Sequence, residues 1–172
     1  IVGSHVNKTT KQLEELKKAS VPIEFIEFNQ HLVLRQGGLE GEVERVVKLI
    51  EEKISSGKTV AVYTRRERFD LDTDDKDEQL KVSVKISNAV TSLVSRLQIR
   101  PRFIIAKGGI TSSDIGTKAL KVRRALVMGQ ISPGIPVWMT GDESKFPNMP
   151  YIIFPGNVGE TFTLREIVEK LS

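Results

Sequence analysis

The sequence predicts an α/β domain, a three-layer αβα arrangement around a largely parallel or mixed sheet. Three observations predict it. Stretches with helical spacing alternate with short apolar runs of strand length, the pattern of strands joined through helices. The run "TVAVY" (59–63) is apolar and β-rich enough for a buried strand. After residue 122 the strand-like runs follow one another too closely for helical crossovers, so part of the sheet is predicted to be antiparallel.

The elements follow in order. Thr9 with Gln12 marks a helix start, and Leu13 and Leu16 carry that helix to about Lys18. "PIEFIEF" (22–28) alternates apolar and acidic residues, as a strand with one wet face does. Val43, Val46, Val47, Ile50 and Ile54 share a helical face that Gly57 ends. "LKVSVKI" (80–86) alternates like a strand, yet Ile86, Val90, Leu93, Val94 and Leu97 keep helical spacing, so a helix is predicted over 78–97. "RFIIA" (102–106), "RALVM" (124–128), "PVWM" (136–139) and "YIIF" (151–154) are predicted strands, with Trp138 a core aromatic or part of a pocket wall. Thr163 and Glu166 suit a capping box ahead of the stripe Leu164, Ile167, Val168 and Leu171.

The chain has 172 residues, enough for one domain with a core that needs no disulfide or metal. It lacks cysteine, which excludes a disulfide framework, a thiolate zinc site and a cysteine nucleophile, and fits a reducing, cytoplasmic setting. Lys+Arg 26 against Asp+Glu 22 leaves +4, mostly interspersed. That balance suits a polyanionic small molecule. A clustered basic face with stacking aromatics is lacking, so no nucleic-acid partner is predicted. No apolar stretch reaches bilayer-spanning length, so no membrane partner is predicted. "IVGSHVNKTT" has no signal-peptide pattern, and a start at Ile1 rather than Met is read as a portion of a longer polypeptide. Association of copies into a homo-oligomer stays open.

Most chemical motifs fail on inspection. Asp70, Asp72 and Asp74 alternate like the first ligands of a calcium loop, but Asp75 stands where the turn glycine belongs and Lys81 where the bidentate glutamate belongs. "RRERFDLDTDDKDE" (65–78) therefore reads as a solvated surface loop, and no metal site is assigned. His5 and His31 lie far apart without partners at ligand spacing, so structural or surface roles are expected. No nucleophile elbow, Walker-type loop or HExxH helix is present.

Glycine turns carry more information. "AKGGITSSDI" (106–115) hands a strand over to a helix, the place where ligands collect in open α/β sheets. Free N–H groups at a helix start favour an anion, and Gly108 and Gly109 let one approach the backbone, with Gly109 expected at positive φ. Thr111, Ser112 and Ser113 are expected to cap the helix and donate outward, with Lys107 and Lys118 as nearby charge. These residues alone leave two readings, a phosphate cradle or a tight turn with a serine cap. "FPGNVG" (154–159), with Gly156 and Asn157, is a second turn after a strand, and Ser4 in "VGSHV" (2–6) marks a third.

Taken together, "GSHVNKTTKQL" (3–13), "AKGGITSSDI" (106–115), "GQISPGIPVW" (129–138) and "PGNVG" (155–159) resemble the four-carbon acid sugar kinase family in its C-terminal, nucleotide-binding domain. Order and spacing agree from Gly3 to the final helix. The resemblance implies ATP-dependent phosphoryl transfer to a tetronate or 3-oxo-tetronate, with Mg²⁺ travelling on the nucleotide. By the same resemblance Ser4, Gly108, Gly109, Ile110, Thr111 and Gly156 contact the nucleotide. Asp114 is then either an orienter of the metal's water shell or a helix cap. The acid sugar and the catalytic carboxylate belong to an N-terminal domain of the same polypeptide in that family. Residues 1–172 are accordingly expected to form a nucleotide-binding domain without kinase activity until joined to it, because phosphoryl transfer depends on positioning both partners. The alternative is a nucleotide-sensing or interaction module that keeps the fold without turnover. Three positions depart from the family pattern: Ile110 replaces a frequent acid, "TRR" (64–66) replaces Thr-Ser-Arg, and Glu160 replaces a frequent glycine.

Overall fold

A computed structural model describes residues 1–172. Its elements are α1 (Asn7–Leu16), β1 (Ile23–Phe28), α2 (Gly38–Ser55), β2 (Thr59–Thr64), α3 (Lys76–Ser95), β3 (Ile104–Lys107), α4 (Gly109–Asp114), β4 (Ala125–Ser132), β5 (Ile135–Thr140), β6 (Pro150–Phe154) and α5 (Thr163–Leu171). A short 3-10 turn covers Gln30–Leu34, and α4 runs on into a π-helical turn over Ile115–Ala119.

Strands β1 and β2 pair in parallel, with Phe25 opposite Ala61. A second group runs β3-β6-β5-β4, in which β3 and β6 are parallel and β5 and β4 antiparallel. The first residues of the chain join the two groups. Val2 bridges in parallel to Tyr63 on one side and to Lys107 on the other. Its N–H donates to the Val62 carbonyl at 2.8 Å and its carbonyl accepts from Thr64 at 3.1 Å, while the Ile1 carbonyl accepts from Lys107 at 2.8 Å. The result is the mixed sheet expected, with an extra parallel connection that the residue pattern did not mark.

Each face of the sheet carries its own apolar core. On one side, α2 and α3 set Val46, Ile50, Val90 and Leu93 against Phe28, Ala106 and Tyr151. On the other, α1 and α5 set Leu13, Leu16, Leu164 and Ile167 against Ile105, Ile152 and Phe154. The strand period of two sends neighbouring residues to opposite cores: Tyr151 to the first, Ile152 to the second. Burying each such large side chain contributes about 1.5–3 kcal/mol. Two covered faces make the three-layer αβα architecture predicted from the sequence, and half-buried Trp138 packs on the first core.

Element ends differ in instructive ways. Gly57 ends α2 at φ 75, as expected. The helix expected from residue 78 begins at Lys76, because Asp75 from the acidic run accepts from Asp77 N at 2.8 Å and caps it. Neither expected capping pair forms. Thr9 and Gln12 lie inside α1, which starts at Asn7 without a side-chain cap. Thr163 is the first residue of α5, and its hydroxyl accepts from the preceding loop, Glu160 N, at 2.8 Å. No helix is long and apolar enough to cross a membrane.

Candidate functional site

Parallel strands end together, so the residues that follow them meet. Beyond the carboxyl ends of the Val2 segment, β3 and β6 lie Ser4, the Gly108–Thr111 turn and the Pro155–Gly156 turn. Gly108 N donates to the Phe154 carbonyl at 2.9 Å, and Ser4 N donates to the Lys107 carbonyl at 3.3 Å. An added Cβ at Gly156 would lie 3.0 Å from the Ser4 hydroxyl. The fold thus brings Ser4, the Gly108–Thr111 turn and Gly156 side by side at the carboxyl edge of the parallel strands, the edge where ligands collect in such sheets.

The two adjacent glycines serve different needs. Gly108 is buried at φ 128, and a Cβ there would meet Thr111 Oγ1 at 3.1 Å, Ser4 Cβ at 3.2 Å and Ser4 N at 3.3 Å. Its missing side chain is required by the protein's own packing. Gly109 is the reverse. It is not among the residues at positive φ, which corrects the expectation, because it already sits in the first turn of α4. A Cβ there would meet nothing within 4 Å. Open space lies above Gly109, beside the 72%-exposed Ile110.

The expected serine cap is absent. Gly108 occupies the cap position and offers no side chain. The buried Ser112 hydroxyl turns back to the Gly109 carbonyl at 3.1 Å, and Thr111 packs against Gly3 and Gly108. The amides of Gly109, Ile110 and Thr111 consequently have no partner within the chain. The position of α4 is set from beneath: the Tyr151 hydroxyl donates to the Ser112 carbonyl at 2.5 Å, and burial pushes that phenol's pKa well up. Gly116 makes room, since a Cβ there would touch the Tyr151 ring at 3.2 Å.

The second turn is held by side chains that pattern reading assigned elsewhere. Lys107 Nζ donates to the carbonyls of Pro155 at 2.6 Å and Gly156 at 3.1 Å. Thr9 Oγ1 donates to the same Gly156 carbonyl at 3.1 Å. Gln12 Nε2 reaches the carbonyls of Val158 at 3.1 Å and Glu160 at 2.8 Å. Lys107 is 0% exposed and therefore presents no charge to the crevice, contrary to expectation. Desolvation, with the Lys8 ammonium adding repulsion, lowers its pKa to about 7. The only sequence signal for this clamp was two polar residues, Thr9 and Gln12, on the stripe that also carries Leu13 and Leu16.

Charged neighbours are mostly engaged. Asp114 is neither a cap nor free: it pairs with Lys118 at 2.9 Å and accepts from Ser87 at 3.0 Å, which also removes Lys118 as loose charge. Arg66 donates to the Ser4 carbonyl at 2.7 Å and to Thr10 at 2.9 Å, fixing the start of α1. His5 lies 3.1 Å from the Arg65 carbonyl and His31 3.0 Å from the Glu67 carbonyl, so both anchor the loop after β2, the structural role expected. The His5 pKa is lowered, by desolvation first and by Arg66 second.

Chemically, the crevice offers main-chain N–H groups and hydroxyls and no free carboxylate on α4. It suits an anion that the backbone can approach closely. The opposite end of the sheet suits something else: a cavity of about 350 Å³ near the starts of β1, β2 and β3 is lined mainly by apolar residues such as Ile23, Ile54, Leu97 and Phe103.

Residues 1–164 match the family described as nucleotide-binding C-terminal domain. Solved structures share the fold. A Salmonella typhimurium LT2 protein provisionally called a tRNA synthase aligns at TM-score 0.73 and 16% identity, over 99% of this chain and 40% of its own. A Bordetella bronchiseptica protein with a domain of unknown function (DUF1537), crystallised with citrate as a domain-swapped dimer, aligns at TM-score 0.69 and 16% identity over the same shares, 99% and 40%. A Haemophilus influenzae protein of the DUF1537 family aligns at TM-score 0.64 and 22% identity, over 98% of this chain and 39% of its own. The chain thus spans about two fifths of the length of these solved proteins. Among curated proteins, none matches the chain in sequence.

Proposed function

Because the chain belongs to the nucleotide-binding C-terminal domain family, we propose that residues 1–172 act as the ATP-binding domain of a cytoplasmic kinase for four-carbon acid sugars of the tetronate or 3-oxo-tetronate type. The observation that carries this reading is the row of unpartnered amides at Gly109, Ile110 and Thr111, open to approach above Gly109. A phosphate chain laid along them gains hydrogen bonds and the favourable end of the helix dipole, about 0.3–1 kcal/mol for the dipole alone. Ser4 and Gly156 line the other wall, and exposed Ile110 offers an apolar surface to the nucleoside.

ATP supplies the phosphoryl group when bound, and Mg²⁺ arrives on its phosphates. The residues here bind and orient. With Asp114 already paired to Lys118, no carboxylate of α4 would be free to hold that metal, which the nucleotide's own phosphates would carry. The acid sugar and the group that activates its hydroxyl belong to an N-terminal domain of the same polypeptide, so the isolated chain binds nucleotide without turning over. A homo-oligomer fits this reading, since the edge strand β4 exposes Leu126, Val127 and Met128.

A second reading, a nucleotide-sensing module without turnover, is favoured by the same lack of a free carboxylate on α4. The two separate in one assay. The chain joined to its N-terminal domain transfers the γ-phosphate of ATP to a tetronate under the kinase reading and binds ATP without transfer under the sensing one. Calorimetric titration of Mg·ATP into the chain tests what both share, and absence of binding at millimolar nucleotide overturns both.

A further inference from the structure

Lys107 is the last residue of β3, and its side chain falls on the α1–α5 face of the sheet, out of contact with solvent. Its ammonium sits 3.9 Å from the centre of the Phe154 ring and donates to two carbonyls, Pro155 and Gly156. Thr9 occupies the other acceptor site of the Gly156 carbonyl. All peptide bonds here are trans, so the C=O and N–H of one peptide unit point in opposite directions. Drawing the Pro155 and Gly156 carbonyls inward therefore turns the amides of Gly156 and Asn157 outward, and neither has a partner in the chain.

We propose that Lys107 is a positioning residue for the nucleotide: it holds the Pro155–Gly156 turn so that N–H groups, and not carbonyl oxygens, face the phosphates. The proposal rests on reading the crevice as the nucleotide site. A filler for this space needs no charge, and an ammonium without a carboxylate partner is unfavourable in an apolar surrounding. What the ammonium adds is the orientation of two dipoles that otherwise repel the ligand. Of the elements packed against it, α1 contributes the Lys8 ammonium and Thr9, β6 contributes Phe154, and the turn after β6 contributes the two carbonyls. Burial and Lys8 both favour the neutral amine and bring its titration to about pH 7. The clamp weakens as pH rises through that value.

The test pairs wild type with Lys107→Met, which keeps length and removes the donors. In unliganded ¹⁵N-labelled wild type, the Gly156 and Asn157 amide signals shift between pH 6 and 9 with a midpoint near 7, and Lys107→Met removes the shift. Mg·ATP binds the variant about tenfold more weakly at pH 6.5, the loss of roughly one oriented hydrogen-bonding arrangement. Wild-type affinity falls from pH 6.5 to 8.5 relative to the variant, which subtracts the nucleotide's own ionisation. The variant's Tm is equal to or above that of wild type, unlike that of a lost structural contact. Thr9→Val supplies a second handle: weaker binding, with the pH dependence retained. Equal ATP affinity of wild type and Lys107→Met at both pH values, or amides that do not titrate, overturns the proposal. A wild type whose amides titrate but which binds no ATP overturns the nucleotide reading, and this proposal with it, through a result distinct from the one that removes Lys107 alone.

Discussion

The turns after β3 and after β6 lie side by side at one edge of the sheet, both contain glycine, and they are held in different ways. The Gly108–Thr111 turn is shaped first by its own backbone: Gly108 at φ 128 lets the chain press against Ser4 and Thr111, with one outside support, the Tyr151 hydroxyl under α4. The Pro155–Glu160 turn is held from outside, by Lys107, Thr9 and Gln12 reaching its carbonyls. A turn specified by its own backbone is announced by its glycines. The turn after β6 is announced by Pro155, Gly156 and Asn157, but the distant side chains that hold it are announced by nothing local.

The contrast can be broken most forcefully at Gly108. Gly108→Val imposes a β-branched residue at φ 128 within 3.3 Å of Ser4 N. Strain and overpacking together are expected to destabilise by about 3 kcal/mol or more, read from the urea midpoint. Gln12→Leu attacks the other turn. It strips two buried-side hydrogen bonds from the Val158 and Glu160 carbonyls while relieving the unpartnered Gln12 Oε1. The expected loss is about 1–2 kcal/mol, with faster amide exchange confined to residues after β6.

Lys107 sharpens the comparison through pH. Its folded-state pKa, about 7, lies below the ordinary 10.5, so between those values the unfolded chain binds the extra proton. Its contribution to stability is therefore least favourable below pH 7 and improves as pH rises toward 10.5, by no more than about 1.4 kcal/mol per pH unit. Lys107→Met should flatten that part of the stability profile in chemical denaturation. Affinity for nucleotide runs the other way, which separates the two roles of one side chain.

Gly109→Val is expected to disturb stability least, by under about 1 kcal/mol, because it sits in a helical turn with nothing near its Cβ. Mg·ATP affinity should nonetheless drop at least tenfold, as the new side chain occupies the approach to the free amides. Equal affinity in that variant places the ligand elsewhere. Neighbouring glycines would thus divide cleanly, one required for folding and one for binding.

Much of this was legible from residues alone, for identifiable reasons. Helices α2, α3 and α5 carry enough turns for their stripes to show, and the runs that became β2, β3 and β6 are short and apolar. The link between the strand "RFIIA" and the glycine pair placed that pair at the carboxyl end of β3, where α4 begins. What escaped was long-range. Ile1–Ser4 is too short for any period, yet it joins β2 to β3. Thr9 and Gln12 imitate a helix cap because capping and clamping use the same polar side chains; only the β6 turn, far along the chain, decides between them. Lys107 looked like surface charge since lysine is rarely buried without a partner, and its two carbonyl acceptors lie on another strand.

The opening residues are bonded along both sides, to β2 through Val2 and to β3 through Ile1, in the manner of a central strand, although only Val2 forms the bridges. The strand terminates at Ser4, against Gly108 and Gly156. The opening residues are thus held by main-chain hydrogen bonds on both sides up to the point where they meet the two glycine turns.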